Sequence, residues 1–170
     1  MAGPTERQSM RSSITKRLAL IAMIPATLLV VVAFASSAQA AVTGAAKLRS
    51  DITVLTNKQR AAHGCKAVVV SPALTRAAVG HSAYQARTKT MSHTGSGKST
   101  FITRSKAAGY NRPLSENVAF GFSSATAVVN AWMASPGHRA NILNCKSKTV
   151  GLGAVYAANG TPYYTQNFGF

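Results

Sequence analysis

The chain has 170 residues, with 19 Lys and Arg against 3 Asp and Glu, and a formal charge of +16. Its length bounds one ordinary domain with a real core, and the lack of internal repeats or low-complexity blocks excludes a repeat array or a linker-rich chain. So strong a positive field attracts anionic polymers and membranes, but the basic residues are spread along the chain, so nucleic acid is not expected as a specific partner.

The first 40 residues read as an address. Arg11, Lys16 and Arg17 form a positive start, Leu18 to Ala35 is mostly apolar, and Ala38-Gln39-Ala40 fits a small-x-small cleavage site. The reading is a signal peptide cut after Ala40, with an uncleaved anchor as the alternative. Either way, the remainder, 41–170, is expected outside the cytoplasm; with cleavage it is expected to be secreted, and as a monomer. It carries 15 Lys and Arg against only Asp51 and Glu116, a charge of +13. In an exported chain the two cysteines, Cys65 and Cys145, suggest a disulfide.

Helical spacing of Leu48, Ile52, Leu55 and Ala62 predicts a first helix from Val42 to His63, stopped by Gly64. Ser71-Pro72 opens a second, with Leu74, Ala77, Ala78, His81, Tyr84 and Met91 on one face. Ser99 or Thr100 caps a short third helix ending at Gly109. Ser123 or Ser124 caps a fourth that carries Val128, Val129, Trp132 and Met133 inward, and Pro136-Gly137 breaks it. Beyond Pro113-Leu114-Ser115, read as a turn, Val118 to Phe122 is strand-like. Val150 to Tyr156 and Tyr163 to Phe168 flank Asn159-Gly160 as a hairpin. These elements make an α+β domain, three or four helices around a small antiparallel sheet.

No nucleophile or metalloprotease motif is present, and Gly95–Thr100 lacks the full spacing of a phosphate loop. What remains is histidines and one carboxylate. His63 sits at a helix end, where a cation suits the dipole. His81 shares an apolar face and reads as a core histidine. His93 and His138 sit at loop or helix-end positions, where functional groups are common. With Glu116 they would make a chemically sensible three-ligand set for Zn or another divalent cation. The alternative for Glu116 is a buried anchor paired with Arg139 or another cation.

Several segments occur together in a familiar order: Asn57–Gly64 (NKQRAAHG), Met91–Ser96 (MSHTGS), Ala107–Tyr110 (AAGY), Ser115–Gly121 (SENVAFG), Val128–Leu143 (VVNAWMASPGHRANIL), Val150–Tyr156 (VGLGAVY) and the final YYTQNFG. The chain resembles the CAP superfamily, the SCP domain of cysteine-rich secretory proteins, antigen 5 and plant pathogenesis-related proteins, in its short bacterial secreted form. The resemblance implies a three-layer α/β/α sandwich with a cleft that gathers His93, Glu116 and His138, and in some relatives a divalent metal. Tyr163 stands where eukaryotic members carry a cleft histidine, and Ser135 lies near a position that is often acidic. Ser115 replaces a motif glycine, so any unusual backbone angle there would be strained. Catalytic residues are not identified by this resemblance; Glu116 and His138 are the candidates. The first functional reading is a secreted module binding a lipid or an anionic envelope ligand. The alternatives are a metal-dependent hydrolase using His93, Glu116 and His138, and a secreted effector acting on other cells.

Overall fold

The computed structural model describes residues 25–170, with side chains from Gly44 onward. The chain divides into two units, Met1–Val42 and Thr43–Phe170, and every side-chain contact described below lies in the second. The expected leader, 1–40, and its cleavage point lie outside the residues whose side chains are described. Among the described residues no helix is long and apolar enough to cross a membrane.

The described residues form five helices and four strands in the order α1 (Pro25–Ala62), β1 (Val69–Val70), α2 (Pro72–Thr88), α3 (Phe101–Ala107), β2 (Pro113–Phe120), α4 (Ala125–Ala134), α5 (Pro136–Ile142), β3 (Thr149–Tyr156) and β4 (Pro162–Gly169). A 3-10 turn, Ser96–Lys98, precedes α3. The helix starts follow their caps. Ser71 Oγ accepts the Leu74 N–H, with proline in the first turn of α2. Thr100 and Thr103 satisfy each other's backbone N–H groups at the start of α3, and Ser124 Oγ accepts the Ala127 N–H at the start of α4. The end of α2 differs from expectation. Lys89 takes the left-handed conformation (φ 53°) and closes the helix, so Met91 lies beyond it and is exposed rather than on its buried face.

The sheet has the order β1-β3-β4-β2 and is mixed rather than antiparallel throughout. β3 and β4 form the expected hairpin and β2 pairs antiparallel with β4, but the two-residue β1 runs parallel to β3 at the edge. So short a strand has no periodicity to read. β2 also begins at Pro113, five residues before the expected start, so Glu116 lies within a strand instead of at a turn. The pleat then places Glu116 on one face and Asn117 on the other.

One face of the sheet carries Ala119, Val150, Leu152, Ala154, Tyr164 and Phe168. These pack with Ile52 of α1, with Val128, Val129 and Trp132 of α4, and with Ile142 of α5. The opposite face receives α2. Gly151 and Gly153 of β3 make that approach possible: a Cβ at either would collide with the backbone of Leu74 or Ala78. The result is the expected three-layer arrangement, with β2 reached by α3 on the α2 side and by α5 on the other.

Two devices hold the end of α1 to the segment before β3. Cys65 and Cys145 are bonded, closing a separation of 80 residues. Arg60, fully buried, donates to the carbonyls of Lys66 (3.0 Å), Ile142 (2.7 Å), Asn144 (2.9 Å) and Ser147 (3.0 Å). Four carbonyl dipoles replace the water this guanidinium loses, and burial still pushes its pKa below the ordinary arginine value.

Candidate functional site

Glu116 is the centre of the site. Its side chain is 1% exposed and both carboxylate oxygens are engaged. Oε2 accepts Arg104 Nη2 at 2.6 Å, and Oε1 lies 3.0 Å from His93 Nδ1. Arg104 comes from α3 and is 11% exposed. Its Nη1 also donates to the carbonyls of His93 (3.1 Å) and Ser99 (2.7 Å), so one guanidinium ties the loop before α3 to β2. His93 stays 57% exposed, with its Nδ1 edge turned to the carboxylate. The anchor reading of Glu116 is therefore correct in kind, but the partner is Arg104. Arg139 instead donates to His63 Nε2 (3.1 Å) at the surface, where His63 Nδ1 in turn meets the Gln59 carbonyl at 2.8 Å.

His81 closes the cluster from α2. It is 1% exposed, and its Nε2 lies 2.7 Å from the Ser92 carbonyl. A carbonyl can only accept, so Nε2 carries the proton and Nδ1 presents a lone pair. That Nδ1 is buried without a partner. Gly95 keeps room for the packing, since a Cβ there would stand 2.6 Å from Ser99 Oγ, 2.9 Å from Arg104 Nη1 and 3.2 Å from His81 Nδ1. The core reading of His81 thus accounts for its burial, but it missed that the ring faces the site.

Burial, and next the charge of Arg104, hold His81 below its ordinary pKa of 6.5; Glu116 and the Ser92 carbonyl act against them, and His93 adds a small push downward. The unfolded chain therefore takes up the proton first as pH falls. The stability tied to neutral His81 is fully present above about pH 6.5 and is lost progressively below it. His81→Gln keeps an N–H for the Ser92 carbonyl and removes the titration. It is expected to flatten the fall in melting temperature on acidification; an unchanged slope rejects this reading.

His138 is placed differently. It is half-buried on the first turn of α5, and burial, followed by the charge of His93, lowers its pKa from 6.5. Its backbone carbonyl accepts Asn117 Nδ2 at 3.2 Å. Asn117 also bonds Gln166 Oε1 (3.0 Å) and accepts from Asn141 Nδ2 (2.8 Å), and Gln166 reaches Thr56 (2.9 Å). This buried chain seats α5 on the sheet. Tyr163 does not join the cluster. It is buried with Ala86 and Ala157 and stacks on Phe120, ring centres 5.7 Å apart. Ser115 takes no positive φ, so the serine in place of the motif glycine costs no left-handed strain; its Oγ is buried without a partner.

The structure brings together His93 and Glu116 of the expected ligand set, adds His81 and Arg104, and leaves His138 near enough to His93 for the charge of one ring to act on the other. Among the described residues no three His, Cys, Asp or Glu side chains are grouped to hold a metal ion. As arranged, the donors do not fit one: the carboxylate is already committed to a guanidinium, whose charge repels a second cation at that range.

Beside the cluster runs a groove of about 490 Å³, lined by Tyr84, Thr88, Thr90, Ser92, Thr94 and Lys98 among others. Arg87 lies over the Tyr84 ring at 5.5 Å. Gly97 (φ 61°) and Lys98 (φ 60°) both adopt the left-handed conformation, turning the loop that walls the groove.

The sequence profile of the cysteine-rich secretory protein family, CAP, matches residues 54–168. The chain belongs to this family. Solved structures resemble it over 71–72% of the chain. An extracellular protein containing an SCP domain from Bacillus anthracis is 28% identical with a TM-score of 0.65, over 72% of this chain and 40% of that one. An outer surface protein from Borrelia burgdorferi is 20% identical (TM-score 0.63, 71% of this chain and 92% of that one), and a cysteine-rich secretory protein from Staphylococcus aureus is 22% identical (0.57, 72% and 38%). At those identities the last two support the fold alone. The CAP chain described here spans well under half the length of the Bacillus and Staphylococcus chains. No curated protein matches its sequence. These neighbours are described as extracellular, outer-surface or secretory proteins.

Proposed function

We propose that this CAP domain is a secreted binding module that holds an anionic, hydroxyl-rich polymer of the cell envelope along the groove beside the 92–98 loop. The observation that carries the reading is the groove's lining: hydroxyls of Thr88, Thr90, Ser92 and Thr94, one tyrosine face and the Lys98 cation. Hydroxyls and an aromatic face suit a glycan or polyol, and a lysine suits its acidic groups; an acyl chain would meet no Leu, Ile, Val, Met or Phe side chain among the lining residues. The charge of +13 on residues 41–170 supplies long-range attraction to such a polymer. The extracellular descriptions of the structural neighbours agree with this setting.

Catalysis is less well supported. Glu116 has both oxygens hydrogen-bonded and is 1% exposed, which leaves no free carboxylate to act as general base.

Co-sedimentation with purified anionic wall polymer, with neutral wall glycan and with anionic or neutral vesicles tests the proposal. Binding to the anionic polymer is expected, weakening as salt screens the attraction. Tyr84→Ala and Lys98→Ala are each expected to weaken it by about tenfold, the size of a lost contact of about 1.4 kcal/mol. Failure to bind the polymer at low ionic strength, or undiminished binding by both variants, would sink the idea. Retention by anionic vesicles alone would move the reading to lipid.

A further inference from the structure

We propose that Lys89 is a second ligand-binding cation of the groove, working with Lys98, and that the ligand is a linear polyanion gripped at two of its charges at once. This deepens the groove reading above and rests on it. What carries it is the backbone. Among the described residues Gly64, Gly97, Gly109, Gly121 and Gly160 take a positive φ, and only two residues with a side chain do so, Lys89 (53°) and Lys98 (60°). In this conformation a Cβ crowds the following carbonyl, so glycine is the usual occupant, asparagine the next, and lysine a poor one. Both exceptions are lysines, and both stand at the groove. Lys98 lines its loop wall. Lys89 is exposed and lies in the chain between Thr88 and Thr90, which line its helix wall.

The surroundings impose both conformations. The Lys89 and Thr90 N–H groups donate to the Gln85 carbonyl, the second at 3.2 Å, and close α2. On the other wall the Ser99 carbonyl accepts the Gly95 N–H (2.8 Å) and Arg104 Nη1 (2.7 Å), fixing the turn that contains Lys98. Backbone held in a costly conformation by well-bonded surroundings clusters at binding sites. What lysine offers there in place of glycine is an ammonium. Among the described residues neither ammonium is paired with a carboxylate: Asp51 pairs with Lys47, and Glu116 with Arg104 and His93. Arg87, the other cation at this end of α2, lies over the Tyr84 ring. Two ammonium groups from separate elements, with hydroxyls between them, match a chain whose negative charges recur. A ligand with one acidic group would leave one of them unused.

The test is titration calorimetry of the full chain with poly(glycerol phosphate) and with polyglucuronate, linear polyanions that differ in their acidic group, over a range of salt. Binding releases counterions from the polymer, so the fall of log affinity with log salt counts the cations engaged. Lys89→Gly and Lys98→Gly are each expected to weaken binding about tenfold and to lower that slope by about one. Lys89→Arg and Lys98→Arg should keep both. Because glycine suits a positive φ, neither glycine variant should melt below wild type. An unchanged slope in Lys89→Gly overturns the proposal, as does a loss of binding that Lys89→Arg shares. A glycine variant that melts more than about 5 °C below wild type also overturns it, since the lysine would then serve the fold. A slope that falls with one polymer alone identifies that acidic group as the one recognised. The groove reading fails differently: wild type would bind neither polymer, or Tyr84→Ala and Lys98→Ala would both bind as wild type does. A silent Lys89→Gly beside weakened Tyr84→Ala and Lys98→Ala overturns the lysine pair alone.

Discussion

Arg104→Met is expected to lower the free energy of unfolding by about 3–5 kcal/mol, the usual cost of removing one partner from a buried ion pair. The size follows from burial. The side chain of Glu116 is 1% exposed and that of Arg104 11%, so solvent cannot take over the charge left behind. Methionine preserves much of the side-chain volume, which separates charge from packing. The decisive comparison is the double variant Arg104→Met/Glu116→Leu. With no carboxylate left to neutralise, it should recover most of the loss. Urea unfolding of wild type, both single variants and the double variant gives the coupling directly. A single-variant cost under about 1 kcal/mol, or a double variant no better than Arg104→Met, would mean that the pair is not what holds the loop before α3 to the sheet.

Arg60→Met should cost on the order of 4 kcal/mol. Arg60 donates four hydrogen bonds, three of them to carbonyls between Ile142 and Ser147. A buried carbonyl without a donor costs about 1–3 kcal/mol, and those near the surface recover part of this from water. The disulfide holds the same segment by a different route. Cys65–Cys145 acts mainly on the unfolded chain, by restricting a loop of 80 residues; Arg60 acts on the native state. The Arg60→Met loss should therefore persist with the disulfide intact. Denaturant titration under non-reducing conditions measures it, and a loss below about 1 kcal/mol would show that water replaces the guanidinium with little penalty.

These two arginines use the same excess of positive charge in opposite ways. Arg104 neutralises Glu116, the single carboxylate after Asp51. Arg60 has no carboxylate and is solvated by the backbone instead. In a chain with so few acids, buried cations must be satisfied largely by carbonyl oxygens. The remaining basic residues are available to set the field that draws an anionic ligand.

Local chemistry determined much of this protein from its sequence alone. Ser71-Pro72, the pair Ser99/Thr100 and the pair Ser123/Ser124 mark helix starts because a hydroxyl acceptor satisfies N–H groups within its own first turn, and the structure selects Thr100 and Ser124 from the pairs. Asn159-Gly160 marks the hairpin, where Gly160 takes φ 81°. The ordered motifs from Asn57 to Gly169 carried the family and the three-layer fold, and the expectation of export implied that the two cysteines pair. Contacts between distant elements were decided only in three dimensions. β1 has two residues and exists because β3 lies beside it. Glu116 meets Arg104 because α3 packs on β2, and nothing in the spacing of 12 residues distinguishes Arg104 from Lys98, Lys106 or Arg139 as the partner. His81 has the sequence surroundings of a core residue, and its unpartnered Nδ1 can be located only once α2, the 92–98 loop and α3 converge. A cap is satisfied within one turn of chain, whereas a buried charge is satisfied by whichever element the whole fold brings to it.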